Sequence, residues 1–221
     1  MTKRIYVPTT GASDWQRFLA HPDKHWKDGY SAKAVADRWE SVSGLPVEIE
    51  HQFKSAHLDP CELLLAIPEF KTPLPGGDRA SQTDVFALVR TNRGVFACSI
   101  EAKVEESFGP TLGEWMKSPS PGKLERIAYL CQTLGLPANP PTELRYQLLH
   151  RTASALIEAN RFGCAGAAML VHSFSADRAW LADFQTFAKE LGATAAPDEP
   201  AFINAPGRMP LLIGWACGPT A

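Results

Sequence analysis

The feature that most restricts the fold of this chain is a tight turn between two strand-like runs. Residues 83–90 (TDVFALVR) and 95–103 (VFACSIEAK) are rich in the β-branched and aromatic side chains that strands prefer. Between them, Asn92 and Gly94 suit the positive φ angles of a hairpin turn. A loop of two residues and a loop of four residues give the same register, in which the numbers of paired residues total 185.

This register sets two acidic side chains opposite each other at the far end of the hairpin. Asp84 faces Glu101, with Cβ atoms about 5 Å apart. Lys103 follows Glu101 by two residues and therefore lies on the same face of the sheet, opposite Gln82. Two carboxylates so close repel each other unless a proton or a cation lies between them. The alternative interpretation is an exposed hairpin with a surface Glu and a surface Lys.

A pair of carboxylates suits a hard cation. Mg²⁺ (or Mn²⁺) prefers oxygen ligands, keeps several waters and takes one or two protein carboxylates. Such an ion polarises a phosphate and lowers the pKa of a bound water. We therefore expect Asp84 and Glu101 to bind the metal, while Lys103 stabilises negative charge at the attacking water or the phosphate.

An Asp on one strand and Glu-x-Lys on the next resemble the motif of the PD-(D/E)XK nuclease superfamily, although Thr83 rather than Pro precedes Asp84. The resemblance implies catalytic roles for Asp84, Glu101 and Lys103. It also implies that the backbone carbonyl of Ala102 is a further metal ligand. An additional acid from an early helix is common in the superfamily, and Glu62 and Glu69 are the candidates here.

Three longer segments are also similar to those of a family of uncharacterised bacterial proteins: residues 73–84 (PLPGGDRASQTD), 101–110 (EAKVEESFGP) and 144–154 (LRYQLLHRTAS). This resemblance covers most of the chain. It implies the restriction-endonuclease-like fold and indicates no substrate.

Periodicity and capping signals predict a mixture of helices and strands. Strands are expected at residues 4–7, 83–90, 95–103, 165–172 and 211–217, and helices at 13–20, 31–41, 59–69, 122–134, 142–160 and 175–191. The predicted class is α/β, with a restriction-endonuclease-like mixed sheet, a central antiparallel hairpin and flanking helices. Residues 1–221 are expected to form a single domain, with residues 1–55 as an N-terminal helical extension.

The predicted helix 142–160 supplies accessory candidates. Gln147 and Arg151 are one turn apart, so both side chains can reach a metal site or a phosphate if the helix packs beside the hairpin. A surface helix with an Arg151–Glu158 pair is the competing interpretation. Gln82 is a further accessory candidate because it faces Lys103. For His150 and His172, a structural role in the core is the expectation.

Composition limits the other classes of function. The net charge is −2, which gives little electrostatic support for a nucleic-acid partner. The five cysteines are scattered singly, as expected of reduced thiols in a cytoplasmic protein, and no zinc-ligand spacing occurs. No run of apolar residues is long enough to span a membrane, and we expect no signal peptide. Serine-hydrolase and nucleotide-binding motifs are absent.

Two functional hypotheses follow. The first is a Mg²⁺-dependent nuclease that hydrolyses phosphodiester bonds. The second is a catalytically silent binding or regulatory module on the same fold. A concave groove at the Asp84 face would favour the nuclease if it were lined by the nearby cations Arg79, Lys103, Lys123, Arg145 or Arg151.

Overall fold

The computed structural model describes residues 9–19, 21–204 and 206–220, so the strand predicted at residues 4–7 lies outside the described part. Its strands are β1 (Glu62–Thr72), β2 (Ser81–Thr91), β3 (Gly94–Lys103), β4 (Gly166–Ser173), β5 (Ala201–Ile203) and β6 (Leu211–Cys217). They form one sheet in the order β1-β2-β3-β4-β6-β5. The pairs β3–β4 and β4–β6 are parallel and the remaining pairs are antiparallel, so the sheet is mixed and the predicted α/β class is confirmed.

Helices lie on both faces of this sheet. A short 3-10 helix (Ala12–Phe18) precedes the helices α1 (Pro22–His25), α2 (Ser31–Glu40), α3 (Val47–Ser55), α4 (Leu112–Trp115), α5 (Pro121–Leu134), α6 (Tyr146–Arg161) and α7 (Leu181–Glu190). The helices predicted at 31–41, 122–134 and 142–160 are present within a few residues of their expected bounds. The helix predicted at 175–191 begins later, at Leu181.

The β2–β3 hairpin has the predicted register. Pairing runs from Thr91↔Gly94 at the turn to Val85↔Ile100, and each pair totals 185. The loop is the two-residue form, Asn92-Arg93, and Gly94 has φ +110°, which a residue with a Cβ rarely adopts. The ladder ends one pair before Asp84 and Glu101.

The prediction of a helix at residues 59–69 is wrong, because this segment forms strand β1. The apolar run from Leu63 to Ile67 is compatible with either structure, and its pairing with β2 decides between them. Pro68 lacks an N–H and is tolerated here because β1 is at the edge of the sheet. The preceding helix α3 was not anticipated from the sequence.

The two faces of the sheet bury separate hydrophobic clusters. On one face, α5, α6 and α7 pack over side chains that include Phe86, Met169 and Trp215. On the other face, α2 and α3 pack over the opposite side of the strands through Trp39, Phe53 and their neighbours. The residues predicted as an N-terminal extension thus supply one of the two helical layers.

His172 belongs to the layer under α2 and α3. It is fully buried, its Nε2 lies 2.8 Å from Oε1 of Glu48, and Trp39 Nε1 donates to its Nδ1 at 3.4 Å. Arg38 donates twice to the same Glu48 carboxylate, at 2.7 Å each. His172 therefore connects α2 and α3 to the sheet on the face away from Glu101.

Candidate functional site

The carboxylate of Glu101 is the centre of a buried polar cluster at the end of β3. Lys103 Nζ and Gln147 Nε2 donate to its Oε1 at 2.7 and 2.6 Å, and Arg151 Nε donates to its Oε2 at 2.5 Å. Glu101 is 2% exposed and Lys103 is 4% exposed. Both oxygens of this carboxylate thus have partners from the chain itself.

The position of α6 explains why these groups meet. Ten of its sixteen residues are buried, so its polar side as well as its apolar side lies against the protein. Gln147 and Arg151 point from successive turns toward the end of β3, as expected if the helix packs beside the hairpin. The alternative Arg151–Glu158 pair does not form, and Glu158 lies 3.6 Å from Arg161 instead.

Asp84 joins the cluster from β2 through the backbone of β3. Its Oδ2 accepts the N–H of Ala102 at 2.7 Å, where a regular ladder would use a carbonyl. Thr83 and Ser99 share a hydroxyl hydrogen bond of 2.8 Å, although the 185 register would set Thr83 opposite Ala102. Strand β2 therefore leaves regular pairing at this point, and the side chain of Asp84 takes over a backbone contact.

The carbonyl of Ala102 is also directed toward this end of β2. In an antiparallel ladder, the N–H and the C=O of one residue point to the same neighbouring strand. Because the Ala102 N–H reaches Asp84, the carbonyl faces the same side. The expected backbone ligand thus lies beside Asp84.

A third acid, Glu69, reaches the cluster from β1. It lies between the pairs Pro68↔Val85 and Phe70↔Thr83, which places it across from Asp84. Its φ of +53° is a strained conformation for a residue other than glycine, at a cost on the order of 1–3 kcal/mol. Gln82 Nε2 donates to Glu69 Oε2 at 2.6 Å, so the accessory candidate Gln82 contacts the site through Glu69.

Glu62, the other acid considered with Glu69, is not brought to the cluster. It lies at the opposite end of β1, seven residues or about 23 Å away along an extended strand. There it forms an exposed ion pair with Arg90 at 2.8 Å. The sequence placed both acids on a helix, where they would share a face, but the strand separates them.

The pKa values of the three acids differ because their surroundings differ. Burial, together with the charge of Asp84, raises the pKa of Glu69 to about 8. Burial and the charge of Glu101 raise the pKa of Asp84 to about 7. Burial also opposes ionisation of Glu101, but Arg151 and Lys103 outweigh it, and the pKa of Glu101 is lowered. Glu101 is thus the stable anion, while Glu69 and Asp84 hold protons near neutral pH.

This arrangement has the oxygen donors for a cation but not a closed ligand set. Among the residues that the structure describes, no group of three or more His, Cys, Asp or Glu side chains is positioned to hold a metal ion. Lys103 and Arg151 already balance Glu101, whereas burial and neighbouring carboxylates disfavour the ionised forms of Glu69 and Asp84, which would therefore gain most from an added positive charge.

Two more residues lie beside the cluster: Ser81, to which the sequence assigned no role, and His150, for which a structural role in the core was expected. Arg151 Nη1 lies 3.0 Å from Ser81 Oγ and 3.2 Å from His150 Nδ1, and Ser81 Oγ lies 2.8 Å from the same His150 nitrogen. The spacing of His150 from Tyr146 on the same face of α6 was the signal available in the sequence. These contacts extend the polar cluster outward from Glu101 to the surface.

Three of the five expected cations are paired with acids, and two line a pocket. Lys103 and Arg151 donate to Glu101, and Arg145 pairs with Asp183 at 2.9 Å. Arg79 and Lys123 line a pocket next to Ser81 and His150. A concave basic surface thus lies beside the cluster rather than over Glu101 itself.

No helix in the described ranges is long and apolar enough to cross a membrane.

Comparison with known proteins bears on the family alone. No curated protein and no solved structure matches the chain. One family model, described as a domain of unknown function (DUF6946), matches residues 8–220. Because this match covers nearly the whole chain, the protein belongs to the DUF6946 family.

Proposed function

We propose that this protein is a Mg²⁺-dependent (or Mn²⁺-dependent) nuclease that hydrolyses phosphodiester bonds in nucleic acid. The observation that carries the proposal is the convergence of Asp84, Glu101 and Lys103 at neighbouring strand ends, with Glu69 beside them. These are the residue types that the PD-(D/E)XK resemblance implies. Three acids and a lysine at one buried site are costly to maintain for stability alone.

The architecture supports the same proposal. The antiparallel strands β1, β2 and β3 lead through α6 into the parallel strand β4, and α6 packs beside the hairpin. A mixed sheet with an interior hairpin and flanking helices is what a restriction-endonuclease-like fold requires. The site lies where β2 and β3 stop pairing, so its side chains are held by strands but are not enclosed by them.

The residues fit a hard cation in their chemistry. Asp84, Glu69 and the Ala102 carbonyl would hold it, and Glu101 would join them once Lys103 or Arg151 releases an oxygen. Such an ion, when bound, would polarise the phosphate and lower the pKa of a bound water. Its charge would also offset the burial and the carboxylate repulsion that raise the pKa values of Glu69 and Asp84.

The remaining side chains have distinct roles in this proposal. Lys103 supplies positive charge at the attacking oxygen and is braced by Phe108, whose ring centroid lies 5.0 Å from Nζ. Arg151 keeps Glu101 ionised, and Gln147 and Arg151 together hold its carboxylate in place by hydrogen bonds from α6. They are positioning residues, because their hydrogen bonds are made to Glu101, Ser81 and His150.

Calorimetric titration of Mn²⁺ into the purified protein tests the metal site. The wild type should bind the ion, Asp84→Asn should lose the binding, and Glu62→Gln should retain it as a matched acid on the far end of β1. Equal heats for Asp84→Asn and the wild type would place the ion elsewhere and contradict the proposal.

A silent binding module is the second candidate, and one observation favours it. Both oxygens of Glu101 are already engaged by Lys103, Gln147 and Arg151, so the cluster is balanced without a metal. In that case the wild type would show neither Mn²⁺ binding nor cleavage of plasmid, single-stranded DNA or RNA.

A further inference from the structure

A pocket of about 430 Å³ opens beside the candidate metal site. Strand β2, its preceding loop, α4, α5 and the first turns of α6 form its walls. Ser81 and His150 belong both to this pocket and to the polar cluster of Arg151, so the two regions share a wall. Nothing in the roles given to Asp84, Glu101 and Lys103 uses this space.

Three cations, Arg79, Lys123 and Arg126, line the pocket. Arg126 is buried and donates to the backbone, at the carbonyls of Pro75 (2.8 Å), Gly77 (3.1 Å) and Leu74 (3.3 Å). Lys123 Nζ donates to the carbonyls of Trp115 and Ser118 at 2.6 and 3.2 Å.

Arg79, the third cation, is exposed in the loop before β2. In the described ranges no carboxylate lies within 4 Å of the charged atoms of Arg79, Lys123 or Arg126. Asp78 also lines the pocket and offsets one of the three charges, so the pocket keeps a net positive charge.

His150 adds a neutral donor to this lining. A guanidinium can only donate, so the contact from Arg151 Nη1 requires Nδ1 of His150 to be the unprotonated nitrogen. The proton of the neutral ring is then on Nε2. Burial and the charges of Arg151, Arg126 and Lys103 lower the pKa of His150 well below its ordinary value, which keeps the ring neutral.

A column of stacked rings holds these groups in place. Lys123 Nζ lies 5.2 Å from the centroid of Trp115, and Trp115 stacks on Tyr146 at 4.1 Å and 10°. Tyr146 in turn contacts the His150 ring at 4.7 Å. Because the rings cover one another, they act as a rigid wall for the cations rather than as a free surface for stacking a base.

The loop on the opposite wall is pressed against the start of α5. A Cβ added at Gly76 would lie 2.0 Å from the Gly122 carbonyl oxygen, and Gly76 has φ +79°. Together with the three carbonyl contacts of Arg126, this close approach fixes the loop that carries Arg79. The cationic pocket is therefore built into the fold.

We propose that this pocket binds a phosphate group of a nucleic-acid strand, next to the phosphodiester held at Asp84 and Glu101. The identity of the strand rests on the proposed nuclease function, but the affinity for a phosphate rests on the pocket alone. The chain Glu101–Arg151–Ser81–His150 connects the two sites through hydrogen bonds. A strand seated on Arg79 and Lys123 would thus lie next to the metal site, because the pocket and the cluster share Ser81 and His150.

The test measures binding of a fluorescent single-stranded DNA 12-mer to the full chain in EDTA, which prevents metal-dependent cleavage. Arg79→Gln with Lys123→Gln should weaken binding at least tenfold and reduce the slope of log affinity against log salt by about 0.7, for one lost phosphate contact. Arg79→Gln alone changes only an exposed side chain and should give about half of that change in slope. Lys189→Gln, an exposed cation on α7, is the matched control and should behave as the wild type.

Other outcomes separate this proposal from the nuclease proposal. If DNA binding depends on Arg79 and Lys123 but the protein neither binds Mn²⁺ nor cleaves nucleic acid, the result supports phosphate binding in the pocket and contradicts only the proposed nuclease activity. Equal affinity of the double variant and the wild type for the 12-mer would overturn the proposal that the pocket binds a phosphate group. Binding of the 12-mer that is no tighter than that of inorganic phosphate would overturn the assignment of a nucleic-acid strand.

Discussion

Arg151 and Glu101 form a buried ion pair in which the Arg151 Nε–H donates to Glu101 Oε2 at 2.5 Å. The pair joins α6 to the end of β3, and each residue is less than a tenth exposed. A buried pair of this kind adds little net stability over a well-packed apolar pair, but loss of one partner leaves an uncompensated charge. The interaction therefore positions the Glu101 carboxylate more than it stabilises the fold.

The first prediction concerns the removal of Arg151. Arg151→Met should lower the free energy of unfolding by about 3 kcal/mol, since it leaves the Glu101 carboxylate buried with only Lys103 to balance it. Urea denaturation at pH 7.5 measures the change. Arg90→Met is the matched control, because the Arg90–Glu62 pair is exposed and its loss should cost less than about 1 kcal/mol. Equal costs for the two variants would contradict the prediction.

The second prediction concerns stability against pH. The pKa values of Glu69 and Asp84 are raised to about 8 and about 7 in the folded state, so between pH 5 and 8 the folded state binds more protons than the unfolded state. Stability should then fall as pH rises through this window and level off above it. Denaturation at pH 5.5, 6.5 and 8 measures the slope.

Substitutions identify the groups behind that slope. Asp84→Asn should flatten the pH dependence and make the protein more stable than wild type at pH 8, because it removes a charge that burial and the Glu101 carboxylate disfavour. Glu62→Gln should leave the slope unchanged. A wild type whose stability rises from pH 5.5 to pH 8 would show that other groups dominate.

Cation binding should depend on pH in the opposite sense. Because Glu69 and Asp84 hold protons near neutral pH, a bound Mn²⁺ must displace them, so affinity should rise from pH 6 to pH 8. Calorimetry in two buffers of different ionisation enthalpy measures the protons released. An affinity that does not vary with pH would mean that neither acid is a ligand.

The fourth prediction concerns Lys103. If the protein cleaves nucleic acid, Lys103→Met should reduce the rate on the order of 10²–10³, as is usual when a charge acting on the transition state is removed. Mn²⁺ binding should persist or tighten, because Glu101 Oε1 loses a competing donor. The assay uses single-stranded DNA and RNA with Mn²⁺ at low salt. Cleavage that survives in Lys103→Met would indicate a different site or a contaminating enzyme.

The hairpin shows how far the sequence alone determined this protein. The turn at Asn92-Arg93 and the residues flanking it specify the 185 register without help from the rest of the chain, because a tight loop sets which residues can pair. The long periodic helix α6 and the apolar strands β4 and β6 were predictable for the same reason. Each of these features depends on neighbours within about ten to twenty residues.

Only the tertiary structure decided which partner the ambiguous segments took. The run Leu63–Ile67 fits a helix or a strand, and its hydrogen bonds to β2 make it a strand. The strand places Glu69 across from Asp84 and places Glu62 far from Asp84. The partners of Glu101 on α6 are 46 and 50 residues distant, and no local pattern specifies that contact. The pocket of Arg79, Lys123 and Arg126 likewise exists only where a loop, α5 and α6 meet, because packing between distant elements sets which charges share a cavity.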